Sequence, residues 1–170
     1  MSPDKAPRRR RSAVLLVAVA AISVLIFGCG NQTRAEDAQL DFTAQTLDGR
    51  TFSGTSLAGR PALLWFWAPW CPLCQKDAPM VARLAETHPK VTFVGVGAQD
   101  RLDTLRAFAT RYGVDGFTEL ADTDATVWAR FGVTRQPAYA FIRPDGRAEV
   151  VTGSLAEAEL TRRLQALPGS

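Results

Sequence analysis

The sequence predicts an α/β protein, with a central β-sheet and helices packed against it. Three observations predict it. Two apolar runs, Ala62 to Trp67 and Thr92 to Gly97, have the length and continuity of strands buried on both faces. Between and after them, apolar residues recur at helical spacing. Turn signals stand at both ends, Asp48-Gly49 and Pro144-Asp145-Gly146. Strands that alternate with helices put the sheet in the middle.

Each element follows from local chemistry. Leu40, Phe42 and Ala44 alternate with polar residues, and Asp48-Gly49 turns the chain into Thr51-Phe52, which predicts an N-terminal β-hairpin. Ala62 to Trp67 is the first central strand. A helix is expected from about Cys74 to Thr87, with Met80, Val81, Leu84 and Ala85 inward and a kink at Pro79. Thr92 to Gly97 is the second central strand. Leu102 to Tyr112 reads as a helix with Leu102, Leu105, Phe108, Ala109 and Tyr112 on one face, closed by Gly113. A short strand and a short helix follow, the helix from Ala125 to Phe131 and stopped by Gly132. Tyr139 to Ile142 and Ala148 to Thr152 form a second hairpin. In the last helix Ser154 caps the N-terminus, Glu157 reaches back to it, and Leu160, Leu164 and Leu167 pack inward.

The basic charge belongs to the first 28 residues. Lys5 and Arg8 to Arg11 against Asp4 give them a net +4, and the formal +3 of the chain leaves about −1 for the rest. The body therefore carries no nucleic-acid footprint. The four arginines precede an uncharged apolar run, Ala13 to Phe27, too short for the roughly 20 residues of a membrane-spanning helix. Residues 1–28 are expected to be a signal peptide, with an uncleaved anchor or a twin-arginine route as alternatives. Ile26-Phe27-Gly28-Cys29 resembles a bacterial lipobox, which would lipidate Cys29 and tie the protein to the outer face of the membrane. A cut at Thr33-Arg34-Ala35 would instead release a secreted protein. Lipidation of Cys29 consumes the odd cysteine of three, as does its loss with the signal. Residues 29–39 read as a polar tether and 40–168 as the folded domain.

Cys71-Pro72-Leu73-Cys74 stands between the first central strand and its helix. A helix N-terminus offers free N–H groups and the positive dipole end to an anion, so Cys71 is expected as an exposed thiolate nucleophile. The second sulfur, one turn on, can reach back and resolve a mixed disulfide. A structural disulfide would gain little entropy from so short a loop. Zinc needs about four ligands, and after this pair the domain offers only His88, which reads as a surface residue.

Trp65-Phe66-Trp67-Ala68-Pro69-Trp70-Cys71-Pro72-Leu73-Cys74, with Asp77-Ala78-Pro79 behind it, resembles the active-site segment of the thioredoxin superfamily. The match is nearest to the exported TlpA/ResA/DsbE-like branch, which the N-terminal hairpin and Asp77-Ala78-Pro79 also fit, and Leu63 to Trp67, Val127 to Val133 and Gln136-Pro137-Ala138-Tyr139-Ala140-Phe141 resemble its secreted DsbE- and DsbF-type members. The resemblance spans about residues 40–167. It implies a thioredoxin-like fold, a central mixed β-sheet flanked by helices with an added N-terminal hairpin. It also implies that Pro137 is the family's cis-proline, where the alternative is a trans proline starting an edge strand. Gln136 and Trp70 would border a substrate groove, though a tryptophan there can serve packing alone. The buried acid of cytoplasmic thioredoxins falls at Trp65, so that relay is absent. Asp77 stands where relatives carry glutamate, and is either the proton acceptor for Cys74 or a solvated carboxylate in the first helical turn.

The chemistry expected is thiol–disulfide exchange on exported client proteins, by a monomer recycled through a membrane redox partner. It needs no cofactor beyond the redox-active Cys71–Cys74 disulfide, and no metal. Oxidation of client thiols is favoured, the alternatives being a reductant for apocytochrome c or other clients and a non-enzymatic binding lipoprotein. A peroxidase is disfavoured because Thr-x-x-Cys is missing before Cys71, and copper delivery because no histidine follows His88.

Overall fold

The computed structural model describes residues 39–170. The expectations for the signal peptide, for Cys29 and for nearly all of the tether lie outside the described residues.

The central sheet has five strands in the order β5-β4-β3-β6-β7. They are β3 (Ala62–Trp67), β4 (Thr92–Ala98), β5 (Thr118–Asp122), β6 (Ala138–Ile142) and β7 (Ala148–Thr152). β4 runs parallel to β3, β5 parallel to β4, and β6 and β7 complete the sheet antiparallel. The sheet is therefore mixed, with the strand that feeds the cysteine pair at its centre. Every residue of β3 is buried, which is why its sequence shows no alternation.

Ahead of the sheet, β1 (Thr43–Gln45) and β2 (Thr51–Ser53) pair antiparallel, followed by a short 3-10 turn at Gly54–Leu57. The hairpin lies along the edge of β5 through a bridge from Thr46 to Leu120 and a Leu47 N–H to Glu119 carbonyl bond of 2.8 Å. An otherwise open edge strand is thereby covered. The predicted alternation from Leu40 is only partly strand, although Leu40 and Phe42 are buried.

Among the described residues the helices that cover the sheet are α1 (Pro72–Thr87), α2 (Leu102–Tyr112), α3 (Thr126–Arg130) and α4 (Glu157–Gln165). α1 starts two residues earlier than expected, with Cys71 as N-cap and Pro72 at a position where a missing N–H costs nothing. It continues through Pro79 as one helix. Side chains of β3 alternate between two aromatic layers. Trp67 stacks on Phe108 of α2 at 4.3 Å between centroids, while Phe66 meets Phe131 at 5.5 Å on the other side.

Two expectations fail here for identifiable reasons. Leu102, placed on the inner face of its helix, is exposed, while Leu105, Phe108 and Ala109 are buried. Its position on the first turn carries it past the core. Ser154 does not cap α4, whose N-cap is Ala156 with no side-chain bond. Its hydroxyl donates instead to Asp77 Oδ2 at 2.8 Å. A carboxylate acceptor makes a stronger hydrogen bond than a backbone partner.

Candidate active site

The chain leaves β3 through Ala68-Pro69-Trp70 and closes a turn with the Cys71 N–H on the Ala68 carbonyl, at 3.1 Å. Cys71 then caps α1. Its Sγ accepts the N–H of Cys74 at 3.1 Å, and its carbonyl accepts the N–H of Gln75 at 3.0 Å. The first sulfur thus occupies the place that a capping serine would hold. Both cysteines carry free thiols.

Cys71 is not held out in solvent as the sequence implied. It is 4% exposed and Cys74 is fully buried. The exposed side chains are its neighbours, Trp70 and Leu73. A partner sulfur must therefore come in past an apolar rim. Burial pushes the Cys74 thiol well above its ordinary range, and its contact with the Cys71 sulfur pushes it further. The two thiols are chemically distinct.

Beneath them lies Asp77, on the second turn of α1 and buried. It is not a solvated first-turn carboxylate. Tyr139 Oη donates to its Oδ2 at 2.8 Å, and Ser154 Oγ donates to the same oxygen at 2.8 Å. Three elements of the fold therefore converge on one carboxylate. Burial raises the Tyr139 phenol far above its normal range, and the charge of Asp77 adds to this, so the phenol stays a donor. Asp77 also acts electrostatically on Cys74.

The Gln136–Pro137 peptide bond is cis. One step past the Phe66–Ala138 pair, the β3–β6 register sets buried Pro137 beside Trp67, where the active-site loop departs. Gln136 is partly exposed. The structure thus brings Cys71, Cys74, Trp70 and Asp77 together at the head of α1 and puts Pro137, just ahead of β6, beside the end of β3. His88 sits at the far end of α1, its ring nitrogen 3.1 Å from the Leu84 carbonyl oxygen. Among the described residues no three His, Cys, Asp or Glu side chains gather as metal ligands.

Sequence reasoning missed Tyr139 and the second role of Ser154. A tyrosine two residues past Pro137 on a buried strand was the available signal, because a buried phenol needs a partner. It also missed Glu119, a buried acid on β5 whose Oε2 accepts the Trp67 indole N–H at 2.8 Å.

A family model described as AhpC/TSA matches residues 35–151. The chain belongs to the AhpC/TSA family. Within that family it is similar to the soluble secreted antigen MPT53 of Mycobacterium tuberculosis, at 44% identity over 157 residues that cover 89% of this chain and 90% of that one. Thiol-disulfide oxidoreductase ResA of Bacillus subtilis is 28% identical, covering 86% of each. Among solved structures, MTB dsbF in its mixed oxidized and reduced forms superposes with a TM-score of 0.75 and 57% identity, covering 76% of this chain and 96% of that one. A secreted Mycobacterium tuberculosis disulfide oxidoreductase homologous to E. coli DsbE gives 0.73 and 42%, covering 77% and 99%. This AhpC/TSA member is a thiol–disulfide oxidoreductase of thioredoxin-like fold, with Cys71 and Cys74 as its C-x-x-C pair. Ala68 stands three residues before Cys71, where the Thr-x-x-Cys pattern of a peroxidase would need threonine.

Proposed function

We propose that the protein oxidises thiols of exported client proteins through Cys71 and Cys74, outside the cytoplasm. The observation that carries the assignment of roles is the contrast between the two sulfurs. One caps α1 at the apolar rim, and the other is sealed behind it above a buried carboxylate.

In the oxidised protein a client thiolate attacks Cys71 Sγ, the Cys71–Cys74 bond breaks, and Cys74 leaves with the electron pair. Its raised affinity for a proton means that it must be protonated as it departs, and we assign Asp77, the buried carboxyl that acts on it electrostatically, to carry that proton. A second client thiolate then displaces Cys71 and the client disulfide is complete. The protein is left as a dithiol, for a membrane redox partner to reoxidise. Run backwards, the same groups make a reductase, with Asp77 taking the proton of Cys74. Trp70, Gln136 and Pro137 border the path of the client segment.

The likeness to a secreted disulfide oxidoreductase supports exchange on exported clients, and oxidation is the direction proposed for it. Equilibration of the protein with a thiol–disulfide buffer tests the direction. A potential near about −120 mV is the expected oxidant result, whereas one near about −270 mV would make it a reductant of client thiols. The leader and Cys29 support a site of action outside the membrane, lipid-anchored on its outer face or freely secreted, and a monomer suffices for the exchange.

Asp77→Asn keeps the shape and removes the proton carrier. Exchange is expected to slow by about a hundredfold, with the loss concentrated in the step that makes or breaks the bond to Cys74. Tyr139→Phe withdraws one of two donors and is expected to change the pH dependence of the rate with a smaller loss. Stopped-flow tryptophan fluorescence across pH reads both. An Asp77→Asn profile identical to that of the wild type would remove Asp77 from the mechanism.

A further inference from the structure

Between the N-terminal hairpin, α2 and the start of β5 lies a pocket of about 530 Å³, lined by no residue of the cysteine loop. Small-molecule sites fall in that size range, with a few convergent polar groups that orient what they hold. Part of its lining is Glu119, only 5% exposed. The carboxyl of Glu119 lies on the face of the sheet that α2 covers. Its Oε2 accepts the Trp67 indole N–H at 2.8 Å, and Trp67 stacks on Phe108 of α2, whose neighbour Ala109 lines the pocket. The other oxygen, Oε1, is buried with no hydrogen-bond partner among the described residues. A buried acceptor in that condition has given up its water and gained nothing in exchange, and a donor carried in by a ligand restores the loss.

The charges around the pocket define that ligand. Asp48 and Arg50 satisfy each other at 2.8 Å. Asp115 stands in the lining and acts electrostatically on the Glu119 carboxyl. Arg106 of α2 donates through Nε to the Leu47 carbonyl at 2.6 Å, while the Leu47 N–H donates to the Glu119 carbonyl at 2.8 Å. A single residue of the hairpin therefore links the guanidinium to the backbone of Glu119. A lone ammonium would suit the two acids but meet Arg106, and a lone carboxylate would suit Arg106 but meet Asp115. A molecule that carries both charges a few bonds apart answers both. We propose that this pocket binds a small zwitterion of the α-amino-acid class, its ammonium donating to Glu119 Oε1 and Asp115 and its carboxylate accepting from Arg106.

Calorimetric titration of the full-length protein with alanine, alaninamide and N-acetylalanine tests the site, because each analogue lacks one of the two charges. Alanine is expected to bind at least about tenfold more tightly than either, a hydrogen bond to a charged group being lost in each case. Arg106→Gln alters an exposed side chain. It should remove the advantage of alanine over alaninamide and keep the advantage over N-acetylalanine. Glu119→Gln should weaken alanine by at least about tenfold, since its one carbonyl oxygen goes to Trp67 and its NH2 then faces the ammonium. The titration involves neither cysteine, so its outcome is independent of thiol exchange. No binding of alanine, equal affinity for the three compounds, or an Arg106→Gln protein that still prefers alanine to alaninamide would overturn the site.

Discussion

Replacing Cys71 by serine is expected to abolish disulfide exchange while leaving the domain folded. The two consequences separate because the sulfur does two jobs. As a cap, it accepts the Cys74 N–H at 3.1 Å, and serine is among the best N-cap residues, so helix α1 keeps its start. As a nucleophile, it needs a thiolate and a polarisable leaving group, neither of which a hydroxyl supplies at neutral pH. A loss of at least about a thousandfold is expected in insulin reduction or in reoxidation of reduced RNase. The thermal midpoint should stay within a few degrees of the wild type. Cys74→Ser should behave differently. Attack by Cys71 on a client disulfide remains available, the other client sulfur leaving as a thiolate, but no Cys74 resolves the product, so a covalent complex with a disulfide-bearing client such as insulin should accumulate and vanish on reduction in gel electrophoresis. Retained turnover in Cys71→Ser would leave a thioredoxin-like binding domain in place of an enzyme.

The parts of this molecule that could be read in the sequence are those set by neighbours in the chain. β3 and β4 are legible because burial on both faces removes alternation from Ala62 to Trp67 and from Phe93 to Ala98. The cysteine pair is legible because its spacing and its place ahead of a helix are local facts. Contacts made across the fold are not legible. At Asp77 the local pattern leaves proton acceptor and solvated carboxylate both open, because its partners, Tyr139 and Ser154, lie 62 and 77 residues away. Ser154 satisfies every local rule for a cap and is drawn off by a carboxylate that the local pattern does not contain. Leu102 fits the helical stripe by spacing, but spacing does not say where the core ends. β5 is the least legible element. It carries two acids, Glu119 and Asp122, and both are buried. Asp122 spends its carboxylate on the N–H groups of Val127 and Trp128, at 3.0 and 2.9 Å, and so starts α3.

Glu119 leads to the second large effect, on stability. The β-sheet register aligns Glu119, Gly95, Trp65 and Tyr139 in one row across four strands. Gly95 has no side chain, and the carboxyl of Glu119 fills the space above it. A Cβ on residue 95 would come within 1.9 Å of Oε2. Gly95→Ala must therefore push aside a buried carboxyl and break its hydrogen bond with Trp67, at a cost of about 2–4 kcal/mol. In a Glu119→Ala background the same substitution should cost less than about 1 kcal/mol, because the space is already free. The interaction energy from the double-mutant cycle measures this coupling, and additive losses would show that the two residues do not compete for one site. The acid also makes stability depend on pH. Burial raises its carboxyl well above the ordinary 4.5, against the opposing pull of the Trp67 hydrogen bond. Between 4.5 and the raised value the folded protein binds a proton that the unfolded chain has released. Stability contributed by this proton is fully present below the unfolded value and is lost as pH rises through the folded one. Glu119→Gln keeps the shape and cannot ionise. Urea midpoints measured across that window should fall with pH more steeply in the wild type than in Glu119→Gln, the other carboxylates being common to both. Parallel curves would mean that Glu119 is ionised in the folded state, with a cation or solvent beside it that its buried, unpartnered Oε1 gives no sign of.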